Sequence, residues 1–229
     1  MKLAVFAAVA LAGATYARPG AFVRRSGPCK KQLINFDDAS IVQKDPNAVE
    51  PIPGTFAGFT WDGFGFTSYP GDACHSFPAN VTQQYTPPRL AMAEGLVGGL
   101  LIHQVDLATS PKGTFTLEDS NGSFDLGAFD VFDIIDLPDS VKLGAKEDMR
   151  VHLDCTPAGG TGDHVTLTIP FNRNKDSAGY SVTADKLGSQ FVALGACTIS
   201  TTQVFFPLGQ ELEIPTESMG LDNFNVCVR

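Results

Sequence analysis

Residues able to do chemistry concentrate first in an aromatic stretch: Phe56, Phe59, Trp61, Phe64, Phe66 and Tyr69 interleave with glycines, and Asp62 follows Trp61 directly. Flat rings stack on pyranose faces, and a carboxylate or phenol within reach bonds sugar hydroxyls. Trp61, Asp62 and Tyr69 are therefore the candidate ligand-binding residues. The same residues suit a core. Phe lacks a polar handle, which assigns Phe56 and Phe59 to the interior, while Trp61 serves either use.

Other constellations are weaker. Asp130, Asp133 and Asp136 recur every third residue among apolar neighbours, a pattern that suits a solvated strand edge. Asp119, Asn121, Ser123 and Asp125 have the rhythm of a calcium loop, but the turn glycine falls at the fourth place instead of the sixth and no Glu follows at the twelfth, which rejects an EF-hand. His75, His103, His152 and His164 are scattered, with no G-x-S-x-G or H-E-x-x-H around them, so no enzyme signature appears. A glycosidase needs only two carboxylates at a set separation, and among 25 acidic residues the sequence leaves that open.

The N-terminus reads as a secretory signal. Lys2, an apolar run over 3–12 and Thr15-Tyr16-Ala17 predict cleavage after Ala17, and the run is too short for about 30 Å of hydrocarbon. Residues 18–28 are expected as a flexible mature terminus and 29–229 as one domain. Five cysteines lie outside the signal, where an oxidising compartment favours pairing and an odd number leaves one over. Spacing alone selects no connectivity. Asn80-Val81-Thr82 and Asn121-Gly122-Ser123 are the glycosylation candidates.

Composition sets the class. Hydrophobic residues make up 43% and charged ones 18%, which argues against disorder. Sixteen Lys and Arg against 25 Asp and Glu give −9 without a basic patch, so nucleic acid and anionic lipid are disfavoured partners, and nothing points to membrane insertion. Gly 23 and Pro 15 punctuate short β-branched and aromatic runs, which predicts an all-β sandwich with strands over 32–36, 55–61, 89–93, 99–105, 114–118, 123–135, 149–155, 164–171, 180–184, 190–196, 201–208 and 224–228. One hairpin is expected in detail. Asn121-Gly122 is the best pair for a type I′ turn, and it would set Leu117 against Leu126, Phe115 against Ala128 and Glu118 against Asp125.

Leu33-Ile34-Asn35-Phe36-Asp37-Asp38 and Met219-Gly220-Leu221-Asp222-Asn223-Phe224-Asn225-Val226 resemble the first and last strands of galactose-binding-like jelly-roll β-sandwiches, common in carbohydrate-binding modules and in secreted microbial, notably fungal, proteins. Pro53-Gly54-Thr55-Phe56-Ala57-Gly58-Phe59-Thr60-Trp61 is similar to the Gly-aromatic-Trp stretch that follows the first strand there. The resemblance implies neighbouring first and last strands, with an acidic residue from each holding a structural calcium. Asp37 or Asp38 and Asp222 are the matching positions, and turn caps are the alternative use of such Asp residues. With the terminal strands adjacent, Cys29 and Cys227 are the expected disulfide, Cys155 and Cys197 the second, and Cys74 is left single. The resulting reading is a jelly-roll protein, secreted to the extracellular space or cell wall, that binds polysaccharide or glycoprotein surfaces without catalysis. A glycan-active hydrolase or lyase on the same fold, and a structural or host-interaction protein without sugar ligand, are the alternatives.

Overall fold

In Phe59-Thr60-Trp61-Asp62 the apolar side chains are buried and the polar ones exposed, the period of two that a strand with one covered face requires. The computed structural model describes residues 28–37, 50–52, 54–68, 89–94, 111–135, 148–172, 180–205, 210–212 and 217–229. Within them the strands are β1 (Lys30–Ile34), β2 (Glu50–Pro51), β3 (Thr55–Phe56), β4 (Phe59–Asp62), β5 (Gly65–Ser68), β6 (Arg89–Glu94), β7 (Lys112–Leu117), β8 (Phe124–Ile135), β9 (Asp148–Pro157), β10 (Val165–Asn172), β11 (Tyr180–Val182), β12 (Leu194–Phe205), β13 (Gln210–Leu212) and β14 (Glu217–Val228). A four-residue helix, α1 (Ala184–Leu187), is the only α-helix among the described residues.

All pairings are antiparallel, and they sort into two layers of a β-sandwich. One runs β2-β5-β6-β14-β8, with β1 on β14 and β11 on β8; the other runs β10-β9-β12-β7-β4-β3, with β13 on β12. A single bridge, Leu194 to Phe124, joins them, and there the sheet turns over on itself. The first and last strands lie side by side from Lys30↔Val228 to Ile34↔Phe224. Cys29 and Cys227 are joined there with Cα atoms 5.4 Å apart. In the other layer Cys155 and Cys197 face each other across β9 and β12, fully buried and bonded, at a Cα separation of 4.0 Å.

The core between the layers is aromatic. Phe224 of β14 packs against Trp61 at 5.5 Å and Phe115 at 5.3 Å, both from the opposite layer, and against Phe129 at 5.5 Å on its own side. Trp61 stacks on Phe115 at 5.3 Å and meets Phe36 edge-on at 5.2 Å, while its indole N–H donates to the Phe56 carbonyl at 3.1 Å. A bulge makes this possible. Met219 and Leu221 point inward, the register then shifts between Asp222 and Asn225, and Asn223 takes φ 54°, a conformation Asn tolerates. One extra residue flips the alternation, so Phe224 and Val226 turn inward as well. At Gly113 the backbone runs so close to the Phe64 ring that a Cβ would collide with it.

Three expectations about strands are corrected. The Asn121-Gly122 hairpin does not form: β7 lies between β12 and β4, and β8 leaves for the other layer. Neither residue has positive φ; Asp119 opens the turn, its side chain accepting from the Asn121 N–H at 2.9 Å and its carbonyl from Gly122 at 2.9 Å, with Gly fourth as a type I turn prefers. Glu118 is therefore not set against Asp125, whose carboxylate instead takes the Arg229 guanidinium and the Ala193 N–H. The run 55–61 is not one strand but a hairpin, turned by Ala57 (φ 56°) and Gly58 (φ 82°), the type I′ pattern. The expected break between the runs 190–196 and 201–208 is absent: β12 runs through it from Leu194 to Phe205, because Cys197 and Ile199 continue the inward alternation, while 190–193 precede the strand and 206–208 lie outside the described residues.

Two stability changes are expected. Ala57→Asn relieves a left-handed alanine and should raise stability by about 0.5–1 kcal/mol in urea unfolding; a loss would show that the turn is not strained. The Thr201 hydroxyl is fully buried without a partner, so Thr201→Val, of the same shape, should add about 1 kcal/mol, and a clear destabilisation would contradict the packing described.

Candidate hydroxyl face of the second layer

Strand alternation that sends Trp61, Phe115, Leu153 and Ile199 inward sends their neighbours to the outer side of the β10-β9-β12-β7-β4-β3 layer. Those neighbours are mostly Thr and Ser, and the ladder aligns them in rows across the strands. One row is Thr55, Thr60, Thr116, Ala196 and Thr156. The next is Asp62, Thr114, Thr198, Asp154 and Thr166, and a third is Lys112, Ser200, His152 and Thr168. All are exposed or half-buried. Thr114 and Thr198 share a hydrogen bond at 2.8 Å, and His164 Nδ1 meets the Asp154 carboxylate at 2.7 Å.

His152 sits within this surface, with Nδ1 3.1 Å from the Thr168 hydroxyl and Nε2 2.7 Å from that of Thr202. Burial lowers its pKa from the ordinary value, and the Arg150 guanidinium, two residues away on the same strand side, pushes the same way. The face thus offers many neutral donors and acceptors, two exposed carboxylates and few cations. It can hydrogen-bond a hydroxylated, uncharged ligand.

A groove of about 260 Å³ lies where the edge of β1 meets the β3–β4 turn. Gln32, Asn35 and Thr55 line it beside Leu33, which is 60% exposed, and Gln32 Nε2 donates to the Ala57 carbonyl at 3.1 Å.

The candidates chosen from sequence fall in different places. Trp61 is a correction: at 7% exposure its ring belongs to the core and offers no stacking platform, because Phe115 of the neighbouring strand, Phe224 of the opposite layer and Phe36 after β1 pack around it. Asp62, its neighbour, points the other way and stands at the end of the second hydroxyl row. Asp37 is half-buried in the turn after β1, and Asp222 is fully buried although it lies on the outer side of its sheet, across from Asp130. Asp130 in turn accepts from Ser181 at 2.5 Å and from the Asn223 amide at 3.0 Å. Asn121 is exposed in its turn. Tyr69, Asp38, Asn80, Cys74 and the signal segment lie outside the described residues. The hydroxyl face itself was not anticipated; its only trace in the sequence is the alternation Thr114-Phe115-Thr116, Thr166-Leu167-Thr168 and Thr198-Ile199-Ser200.

No family model and no curated protein matches the chain. Among solved structures it is similar to a DUF4465 family protein from Bacteroides caccae, with a TM-score of 0.52 and 10% identity over 86% of this chain and 98% of that one. The carbohydrate-binding module TmCBM61, solved with β-1,4-galactotriose, gives a TM-score of 0.33 at 8% identity, covering 76% of this chain and 90% of that one. A structure of carbohydrate-binding modules of the β-sandwich superfamily gives 0.29 at 9%, covering 80% and 62% respectively. Of these three, the first is a likeness of fold, and fold by itself assigns no ligand.

Because its folded pKa is depressed, His152 takes up a proton less readily than in the unfolded chain, where imidazole titrates near about 6.5. The unfolded state therefore binds more protons below that pH, and this group's contribution to stability is complete above about pH 6.5 and lost as the pH falls. His152→Asn should flatten the decline of the thermal midpoint between about pH 7 and 5. An identical slope in wild type and variant would show that the group does not couple to folding.

Proposed function

We propose that this protein is secreted to the extracellular space or cell wall and binds carbohydrate, on polysaccharide or glycoprotein surfaces, without catalysis. The observation that carries the reading is the outer face of the second layer, whose aligned Thr and Ser hydroxyls match a ligand that is itself a lattice of hydroxyls. The net charge of −9 disfavours polyanionic ligands on the same molecule. Two disulfides accord with an oxidising compartment, and no helix among the described residues is long and apolar enough to cross a membrane.

Calcium at the junction of the terminal strands is part of the proposal. Asp222 is a fully buried carboxylate on β14, the strand that pairs with β1. Asp37 lies in the turn three residues beyond Ile34, the last residue of β1 paired with β14. The donors are all oxygen, which is what a calcium ion takes. Among the described residues no three His, Cys, Asp or Glu side chains converge, so in this proposal Asp38 and backbone carbonyls complete the shell.

Purified mature protein applied to insoluble polysaccharides and a glycan array should be retained, with no new reducing ends in the supernatant. Released sugar would replace the binding reading by a hydrolase or lyase, and no retention on any glycan would remove carbohydrate as the ligand. Calcium at about a hundred times its Kd should stabilise the fold by about 2.7 kcal/mol, chelator should reverse this, and Asp222→Asn should abolish the difference. An identical midpoint with calcium and with chelator would eliminate the metal.

A further inference from the structure

Resting on the carbohydrate reading, we propose that the ligand is an extended, uncharged β-linked glycan that lies across the strands of the second layer, four sugar residues spanning β4 to β10. Residues of one row are separated by the distance between paired strands, about 4.8 Å, so a row touching five strands is about 19 Å long. An extended equatorially linked pyranose chain advances by roughly one ring length per residue, comparable to the spacing of about 4.8 Å between strands, so successive sugars meet successive hydroxyls. A chain that coils, as axial α-linkages do, lifts its hydroxyls off the sheet after one or two units.

Chemistry along the middle row agrees with the spacing. Asp62 at one end is an exposed carboxylate able to accept two vicinal sugar hydroxyls, Asp154 near the other offers the oxygen that does not meet His164, and the bonded Thr114–Thr198 pair lies between them. The neighbouring row begins two residues along each strand, about 6.7 Å away, roughly one pyranose ring in width. There Thr60 and Thr116 present neutral hydroxyls to the other ring edge. Uronic acid polymers would place their charges against Asp62 and Asp154. Because the sheet twists by about 20° per strand, the bound chain must twist with it, which a glycosidic linkage permits.

The test is titration calorimetry of the full chain with β-1,4-linked hexose oligomers of two to six residues, and with α-1,4-linked glucose oligomers as the coiled control. Affinity should climb with each residue to four and then level, with the α-linked series at least tenfold weaker. Thr198→Val and the double variant Asp62→Asn, Asp154→Asn should each weaken the four-residue oligomer by at least fivefold at an unchanged thermal midpoint. If either variant is destabilised, Thr116→Ser, which keeps the hydroxyl and drops a methyl, should bind within twofold of wild type while Thr116→Val does not. Tight binding that ignores chain length, that prefers the α-linked series, or that is lost in Asn35→Ala at the β1 groove and spared in the face variants overturns this orientation while leaving carbohydrate binding in place. Failure to bind any oligomer or insoluble glycan overturns the reading on which it rests.

Discussion

Packing of Phe224 against Trp61 and Phe115 holds the two layers together, and the rest of the structure follows from it. These rings come from β14, β4 and β7, strands far apart in sequence and in different sheets. Burying each large apolar side chain is worth about 1.5–3 kcal/mol, and well-oriented ring pairs add about 0.5–1.5 kcal/mol. With Phe36, Phe56, Phe59, Phe64, Phe124 and Phe129 gathered around them, one continuous aromatic core spans the gap between the sheets. The bulge at Asn223 serves this packing. It changes which side of β14 faces inward midway along the strand, so that both halves contribute to the core.

The termini of the described chain are held by two kinds of bond. Backbone pairing of β1 with β14 is local in space but joins residues nearly two hundred positions apart, and the Cys29–Cys227 link, with its sequence separation of 198, restrains the same closure covalently. In the chain-entropy model a loop of this length contributes about 5 kcal/mol against the unfolded state. Arg229 adds a third tie at the same end of β14: its guanidinium reaches Asp125, and its backbone exchanges hydrogen bonds with Ser123 at 3.0 and 2.7 Å. The layer that carries the hydroxyl face has its own covalent tie, the buried Cys155–Cys197 link between β9 and β12, and paired strands are a better platform for an extended ligand than a loop.

Function in such a fold resides in surfaces, since the core chemistry is apolar and shut. The outer side of the second layer and the groove beside β1 differ in kind. The first is broad and repeated at the strand spacing; the second is small and is partly closed by Gln32 bridging to Ala57. Repetition is what a polymer can use. A single small ligand would gain nothing from five aligned strands, whereas each added sugar of a chain finds the same hydroxyl chemistry one strand further on.

By itself the sequence determined the class of the fold and much of its core. Short β-branched and aromatic runs between turn residues marked most strands, Phe56 and Phe59 were assignable to the interior because a phenyl ring has no use for water, and the resemblance of the two terminal motifs marked the strands that lie together. Tertiary structure decided the rest. Whether Trp61 was platform or core depended on Phe36, Phe115 and Phe224, partners brought in from other strands. Asn121-Gly122 carried the stronger local preference for a type I′ turn, yet that geometry occurs at Ala57-Gly58, since strand pairing and burial outweigh turn preferences of about a kilocalorie. The hydroxyl face had no local signature either. A Thr alternating with an apolar residue reads as any half-buried strand, and only the register between β3, β4, β7, β12, β9 and β10 turns separate threonines into one surface. Alternation is written along the chain, whereas register is set by contacts between strands, and that is why the core was legible and the surface was not.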